Sequence, residues 1–377
     1  MSNEPTLLYT DVEGALRAGV RKLLDERCGL RGVLGCYDGD RSLVTGLWRG
    51  LNRELRLSAL LVPEAHGGDG GSCREAAVVL EELGRVVAPV PFLTSAVVGT
   101  TALLASPAPA AAVLLSALAA GRRTVTLVVP LAAGPGAAAG LDIRVEAGEL
   151  HGRVANVAGA LEADVLLVPA ARSGESVELW AVPAATAHIE PVSSLDMTRQ
   201  LADVTLPGVP GELLAPAEAG RRAVGDALLT GAALLASEQL GLAQWCLDTT
   251  VDYVRLRRQF GRTIGSFQAV KHRLADLYVE VESMRAAARH AATACGGASG
   301  GASAESAVAA SVAQAFCGTA AVHVAEEAIQ LHGGIGMTWE HQLHLYLKRA
   351  KADQIAFGTP GSHHDELARL VALPPPV

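Results

Sequence analysis

Apolar residues recur at helical spacing through the first third of the chain. Val12, Leu16, Val20 and Leu23 fall three or four residues apart and predict an amphipathic helix, with Asp11 as N-cap and Gly14 as its weak point. A second helix is expected over residues 48–56. The Gly-rich stretch 63–72 breaks the pattern, and residues 73–87 resume it with Ala76, Val79, Leu80 and Leu83 on one face. After Arg123 the period changes. Runs beginning at Val125, Ile143, Glu149, Val165 and Leu179 are short, β-branched and bounded by Gly, Pro, Asp or Ser, which predicts a small antiparallel sheet reaching about Val209. Helical patterning then returns over residues 217–256, 267–295 and 304–330, and the Gly/Ser-rich stretch 296–303 reads as a flexible turn between the last two.

Helices, then strands, then helices is a segregated order, so the fold class is α+β rather than alternating βαβ units. The expected division is an N-terminal helical domain (1–122), a middle antiparallel β domain (123–212) and a C-terminal four-helix-bundle domain (213–377). The G-x-G-x-x-G signature of dinucleotide-binding βαβ units follows none of the strands, which counts against a nicotinamide enzyme.

Composition narrows the function. The chain has 377 residues and a net charge of −8, without a basic run, so nucleic acid is excluded as the main partner. Residues 86–121 carry no charge, but Pro89, Pro91, Pro107 and Pro109 interrupt them; they predict buried helices and no membrane span. The six cysteines form no C-x-x-C pair and no group with histidine at metal-binding spacing. Together with a start that lacks a basic and an apolar region, this gives the expectation of reduced thiols in a cytoplasmic protein without a bound metal.

Three local features carry candidate chemistry. Arg257 lies one helical turn beyond Tyr253, and Gly261 is expected to stop that helix. An arginine there can grip a pyrophosphate with paired hydrogen bonds, or it can belong, with Arg255, Arg258 and Arg262, to a solvated basic patch. Gly333 and Gly334 let a ligand approach the backbone closely, or simply end a helix, and His332 beside them can be a packed or capping residue. Glu238 is the single charge between Asp226 and Asp248, with Leu234, Leu242 and Trp245 as helical neighbours. A lone carboxylate among apolar side chains is raised in pKa, paired with an arginine elsewhere, or exposed at a subunit interface.

Taken together, Tyr253-x-x-x-Arg257-x-Gln259-Phe260-Gly261-Arg262, running on to Phe267-Gln268, and Gln330-x-x-Gly333-Gly334-x-Gly336 resemble the two C-terminal signatures of the acyl-CoA dehydrogenase family. The helix–sheet–helix order matches over essentially the whole length. The resemblance implies FAD as cofactor, with Arg257, Gln259, Phe260 and Gln268 contacting its pyrophosphate and adenosine across a subunit interface. Gln330, Gly333 and Gly334 do likewise from their own loop, and Thr359 belongs to the terminal motif. It also implies an acyl-CoA or acyl-carrier-protein thioester as substrate, desaturated between Cα and Cβ, and an electron-accepting flavoprotein as a further partner. The assembly implied is a homo-oligomer or a heterotetramer with a related subunit.

The family's glutamate base is missing from both places where it is found. The position 27 residues beyond Gln330 is Phe357, and the one 29 residues before Phe260 is Gly231. Glu238, two turns beyond Gly231, is therefore the candidate catalytic base. The flavin stretch of the middle domain is replaced by Val129-Pro130-Leu131 and an alanine-rich loop, and the expected Arg-Asp pair after the second motif reads Lys348-Arg349. These departures resemble a small actinobacterial-type subgroup, some of whose members form one half of an α2β2 complex acting on bulky thioesters such as steroid side chains. Two other roles stay open: a non-catalytic, FAD-completing subunit, and a flavin oxidase or oxygenase of secondary metabolism.

Overall fold

The structure is a computed structural model describing residues 7–136, 142–172, 176–295 and 303–373. The N-terminal helices are α1 (Asp11–Arg27), α2 (Leu30–Gly35), α3 (Ser42–Leu55), α4 (Cys73–Arg85), α5 (Thr100–Leu104) and α6 (Pro109–Ala119). A π-helical segment, Phe92–Gly99, leads into α5. The cap of α1 is Thr10 rather than Asp11: its hydroxyl accepts from the Glu13 N–H while the Glu13 carboxylate accepts from the Thr10 N–H at 2.7 Å. Val12, expected on the apolar face, is exposed. The uncharged stretch 86–121 is the buried π segment with α5 and α6, as its prolines predict.

Eight strands make the central sheet: β1 (Val125–Leu127), β2 (Ile143–Glu146), β3 (Glu149–Ala158), β4 (Val165–Ala171), β5 (Val177–Pro183), β6 (His188–Val192), β7 (Leu201–Pro210) and β8 (Glu212–Ala215). Their order is β6-β7-β3-β2-β4-β5-β8, with β1 also on β4. The sheet is mixed rather than purely antiparallel, because β1 and β2 both run parallel to β4. Local periodicity identifies strands but not which neighbour each one finds. One face of the sheet closes its own core around Ile143, Leu150, Leu166 and Val204. Leu127, Leu167 and Leu179 join the main core, which is continuous from α1 to the C-terminal bundle.

The remaining elements are α7 (Ala217–Leu256), the hairpin β9 (Arg258–Gln259) and β10 (Arg262–Thr263), α8 (Gln268–Ala294), α9 (Ala304–His332), α10 (Leu343–Ile355) and α11 (Pro360–Leu370). The predicted turn at 296–303 falls largely outside the described residues. α9 is long and apolar enough to cross a membrane, yet it is largely buried and packs against α7, α8, α10 and α11 as the bundle's core helix.

Candidate functional site

α7 organises the site, and α4 fixes where it lies. A Cβ on Gly241 would fall 2.0 Å from the Glu81 carbonyl oxygen, and one on Gly84 2.2 Å from that of Glu238. The two helices therefore cross with their backbones touching, which only glycine allows. The side chains of α7 on either side of this crossing are held to a narrow range of positions.

One turn-pair upstream, Gly231 meets Phe357. A Cβ at Gly231 would lie 2.9 Å and 3.0 Å from two ring carbons of Phe357, and 3.0 Å from Val98 Cγ2. The two places where the family keeps its base thus face each other, and the ring of one fills the space above the other. Phe357 is buried, and it sits in the left-handed region at φ 53, costly for a side chain of this size. Four bonds hold it and the turn before it in place. Its N–H donates to the Leu131 carbonyl at 2.8 Å, and His363 Nε2 donates to its carbonyl at 3.0 Å. Gln314 binds the carbonyls of Asp353 and Ala356, each at 3.0 Å, just before the turn. Burial lowers the pKa of His363, which keeps the imidazole neutral with its proton on Nε2.

Glu238, buried like Phe357, is not alone. Arg199 Nη2 donates to its Oε1 at 2.5 Å, and Arg349 Nη1 donates to the same oxygen. Arg349 also binds Asp196 at 2.5 Å and the Thr198 hydroxyl at 2.6 Å, and Asp353 lies 3.4 Å from Arg199. Burial alone would push the Glu238 carboxyl up, but the two guanidiniums outweigh it and hold the group below the usual carboxylate range. Asp196 is lowered by the same balance. Asp353 goes the other way: burial, then the negative charge of Glu238, raise it, so it retains its proton. Burial works against the charge on Arg349, and the carboxylates of Asp196 and Glu238 keep it cationic. Of the readings open for Glu238, the geometry is that of the ion pair. Arg349 and Arg199 were not singled out as its partners from the sequence, although a signal existed. An unexpected anion at 238 and an unexpected cation at 349 are one another's explanation.

The remaining site residues form a second, exposed region. α7 ends at Leu256, not at Gly261; Arg257 is its extended C-cap, with its N–H bonded to the Tyr253 carbonyl at 2.8 Å. Phe260 (φ 53) and Gly261 (φ 78) instead make the tight turn of the β9–β10 hairpin, where paired left-handed residues match the strand twist. Phe260 is 89% exposed, and Gln259, Arg257 and Gln268 at the start of α8 are exposed beside it. Among the described residues the Arg257 guanidinium has no partner. Tyr253 joins the two motifs: its ring stacks on His332 at 4.3 Å and its hydroxyl donates to the His332 carbonyl at 3.3 Å. His332 is buried, donates from Nδ1 to the Ala328 carbonyl at 2.7 Å, and is kept neutral by burial. Gly333 (φ 63) then ends α9, leaving Gln330, Gly333 and Gly334 exposed. Thr359 is elsewhere, as the N-cap of α11 directly after the Phe357 turn, its hydroxyl accepting from the Ser362 N–H at 3.2 Å.

The two ends of FAD fare differently against these residues. An unpartnered guanidinium, exposed amide side chains and a glycine turn fit its phosphates and adenosine. The flavin ring is expected beside residues 129–131, and there the Leu131 carbonyl is bonded directly to Phe357. Gly134 lies against the Phe357 carbonyl, its Cβ position 3.4 Å from the oxygen. The segment 131–134 therefore lies directly against the Phe357 turn.

Known proteins share this architecture. The acyl-CoA dehydrogenase N-terminal domain matches residues 10–121 and the acyl-CoA dehydrogenase C-terminal domain matches residues 218–372. The acyl-CoA dehydrogenase IpdE2 of Mycolicibacterium smegmatis is 35% identical over 95% of this chain and 97% of its own length. Among solved structures, a variant of the Tcur3481-Tcur3483 steroid ACAD superposes with a TM-score of 0.84 at 29% identity, covering 97% of this chain and 99% of that one. The ChsE4-ChsE5 complex from Mycobacterium tuberculosis gives 0.83 at 25% identity, covering 98% and 100%.

Proposed function

The chain belongs to the acyl-CoA dehydrogenase family, and from that premise we propose that it acts as the FAD-completing, non-basic subunit of a heteromeric enzyme that desaturates a bulky acyl-CoA. FAD is the cofactor this membership brings, and when bound it supplies the acceptor for the hydride leaving the β-carbon. In this reading Arg257, Gln259, Phe260, Gln268, Gln330, Gly333 and Gly334 bind the phosphate and adenosine end of an FAD whose flavin ring lies on a companion chain. Thr359 shapes the Phe357 turn instead of touching that FAD. Phe357 closes this chain's own base position and keeps substrate and water out of it. Glu238 serves as the counter-charge of Arg349: a carboxylate held below its usual pKa by two arginines is a weak proton acceptor. The α-proton is then removed by a carboxylate of the companion. The similar steroid ACAD variant and the similar ChsE4-ChsE5 complex support the bulky substrate and the mixed assembly.

The single observation supporting this reading is the Phe357 ring seated on Gly231. The test is to purify the chain alone and together with each related chain from its source, then measure flavin absorbance and turnover of an acyl-CoA with an artificial electron acceptor. The expected outcome is a colourless, inactive chain and a yellow, active complex. A chain that is yellow alone and loses its turnover on Glu238→Gln would overturn it in favour of a homomeric enzyme with Glu238 as base.

A further inference from the structure

A second cavity, of about 530 Å³, lies between α3, the end of α6 and the turn at residues 161–164 of the sheet. Its character is cationic in a chain whose net charge is −8. α3 presents Arg49 and Arg53 to it, one helical turn apart and both exposed, and Arg122 enters from the opposite wall after the left-handed Gly121 (φ 64). Among the described residues, none of these three guanidiniums has an ion pair or hydrogen bond. The two carboxylates in the lining do not neutralise them, because each is already engaged. Glu162 pairs with Arg41, while Asp164 pairs with Arg123 at 3.5 Å and accepts from the Thr124 N–H at 2.8 Å. Trp48 lines the same cavity, half-buried, its indole N–H donating to the Thr124 hydroxyl at 3.4 Å.

Arginines one turn apart on a helix stand about 5–6 Å from each other at Cβ. That spacing lets each take one phosphate of a diphosphate by paired hydrogen bonds. A tethered indole beside them offers a flat face for a planar ring to stack on. We propose that this cavity is a binding site for a nucleoside diphosphate group. Arg49 and Arg53 hold the phosphates, Arg122 closes over them, and Trp48 supports the base. The same chemistry is offered by a free nucleotide and by the adenosine-phosphate end of a CoA molecule. The site shares no residue with the Arg257 region, so it stands or falls independently of the function proposed above.

Isothermal titration of ADP into the 377-residue chain tests it. Saturable one-to-one binding is expected, weakened about tenfold or more by Arg49→Gln and again by Arg53→Gln, with thermal unfolding unchanged because both side chains are exposed. Trp48→Phe should weaken ADP severalfold and leave inorganic pyrophosphate unaffected. Displacement of ADP by CoA identifies a CoA end as the natural source, and failure of CoA to displace it identifies a free nucleotide. The proposal is overturned by an absence of ADP binding, by binding that survives Arg49→Gln/Arg53→Gln, by binding lost in Arg257→Gln, or by a poly-glutamate peptide binding where ADP does not.

Discussion

The interior region around Phe357 and the outer edge around Arg257 are built on opposite principles. Inside, departures from the family pattern come in pairs: Phe357 covers Gly231, and Glu238 answers Arg349. Outside, the family-type residues are present with few contacts inside the chain; Phe260 is exposed with the Phe267 ring edge-on at 6.1 Å, and Arg257 is unpaired among the described residues. Changes that arrive in matched pairs mark a region whose packing was kept while its chemistry was replaced. Exposed residues with few internal partners mark a region whose composition the chain's own packing does not explain.

That contrast can be broken most forcefully inside. Arg349→Leu takes from Asp196 its guanidinium partner and leaves Glu238 with Arg199 alone, and it should cost about 3–5 kcal/mol in urea unfolding. A loss under about 1 kcal/mol would mean the cluster is solvated and the region less closed than described. Phe357→Ala opens a cavity over Gly231 and should cost a similar amount, about 3–5 kcal/mol. Gly231→Ala alone should cost about 1–3 kcal/mol by pressing on the ring. Combined with Phe357→Ala it should cost less than the sum, and strict additivity in that cycle would show that the two do not touch.

The pH dependence of stability sharpens the same region with a smaller effect. Asp196 and Glu238 have folded pKa values below their unfolded ones, so their contribution is present above the ordinary carboxylate range. It is lost as pH falls below about 4 through the depressed values. Asp353 is raised, so its contribution is full at acid pH and is lost as pH rises through its folded value. A melting profile from pH 3 to 9 should therefore fall on the acid side. Asp353→Asn should flatten any decline on the alkaline side, and an unchanged alkaline limb would remove Asp353 from the account. Outside, Phe260→Ala and Arg257→Gln should move stability by no more than about 0.5 kcal/mol while reducing FAD retention by the assembled complex, read from flavin absorbance.

What could be read in advance follows the same divide. Long helices declare themselves locally, and α7, α8 and α9 lie within two residues of the predicted spans. Strand β6 is an exposed edge, and β7 ends in Pro207, Gly208 and Pro210, whose turn-like composition masked a strand that buries Ala202, Val204 and Leu206. Parallel pairing of β1 and β2 with β4 depends on distant partners and leaves no local trace. The outer motifs are continuous in sequence and were legible as a set. The partners of Glu238 come from a loop before β7 and from α10, so only the charge reversal at 349 hinted at them.

The length of α7 acts as a ruler. Gly231 stands within one continuous helix and Arg257 caps its end, and the 26 residues separating them rise about 39 Å along its axis. No single dinucleotide bridges that span. A cofactor gripped at the Arg257 end therefore cannot lay its reactive ring over the Gly231 of the same polypeptide. Under the proposed function, each copy of this chain would then complete a site on a companion, and the pairing of chains would set the number of working centres.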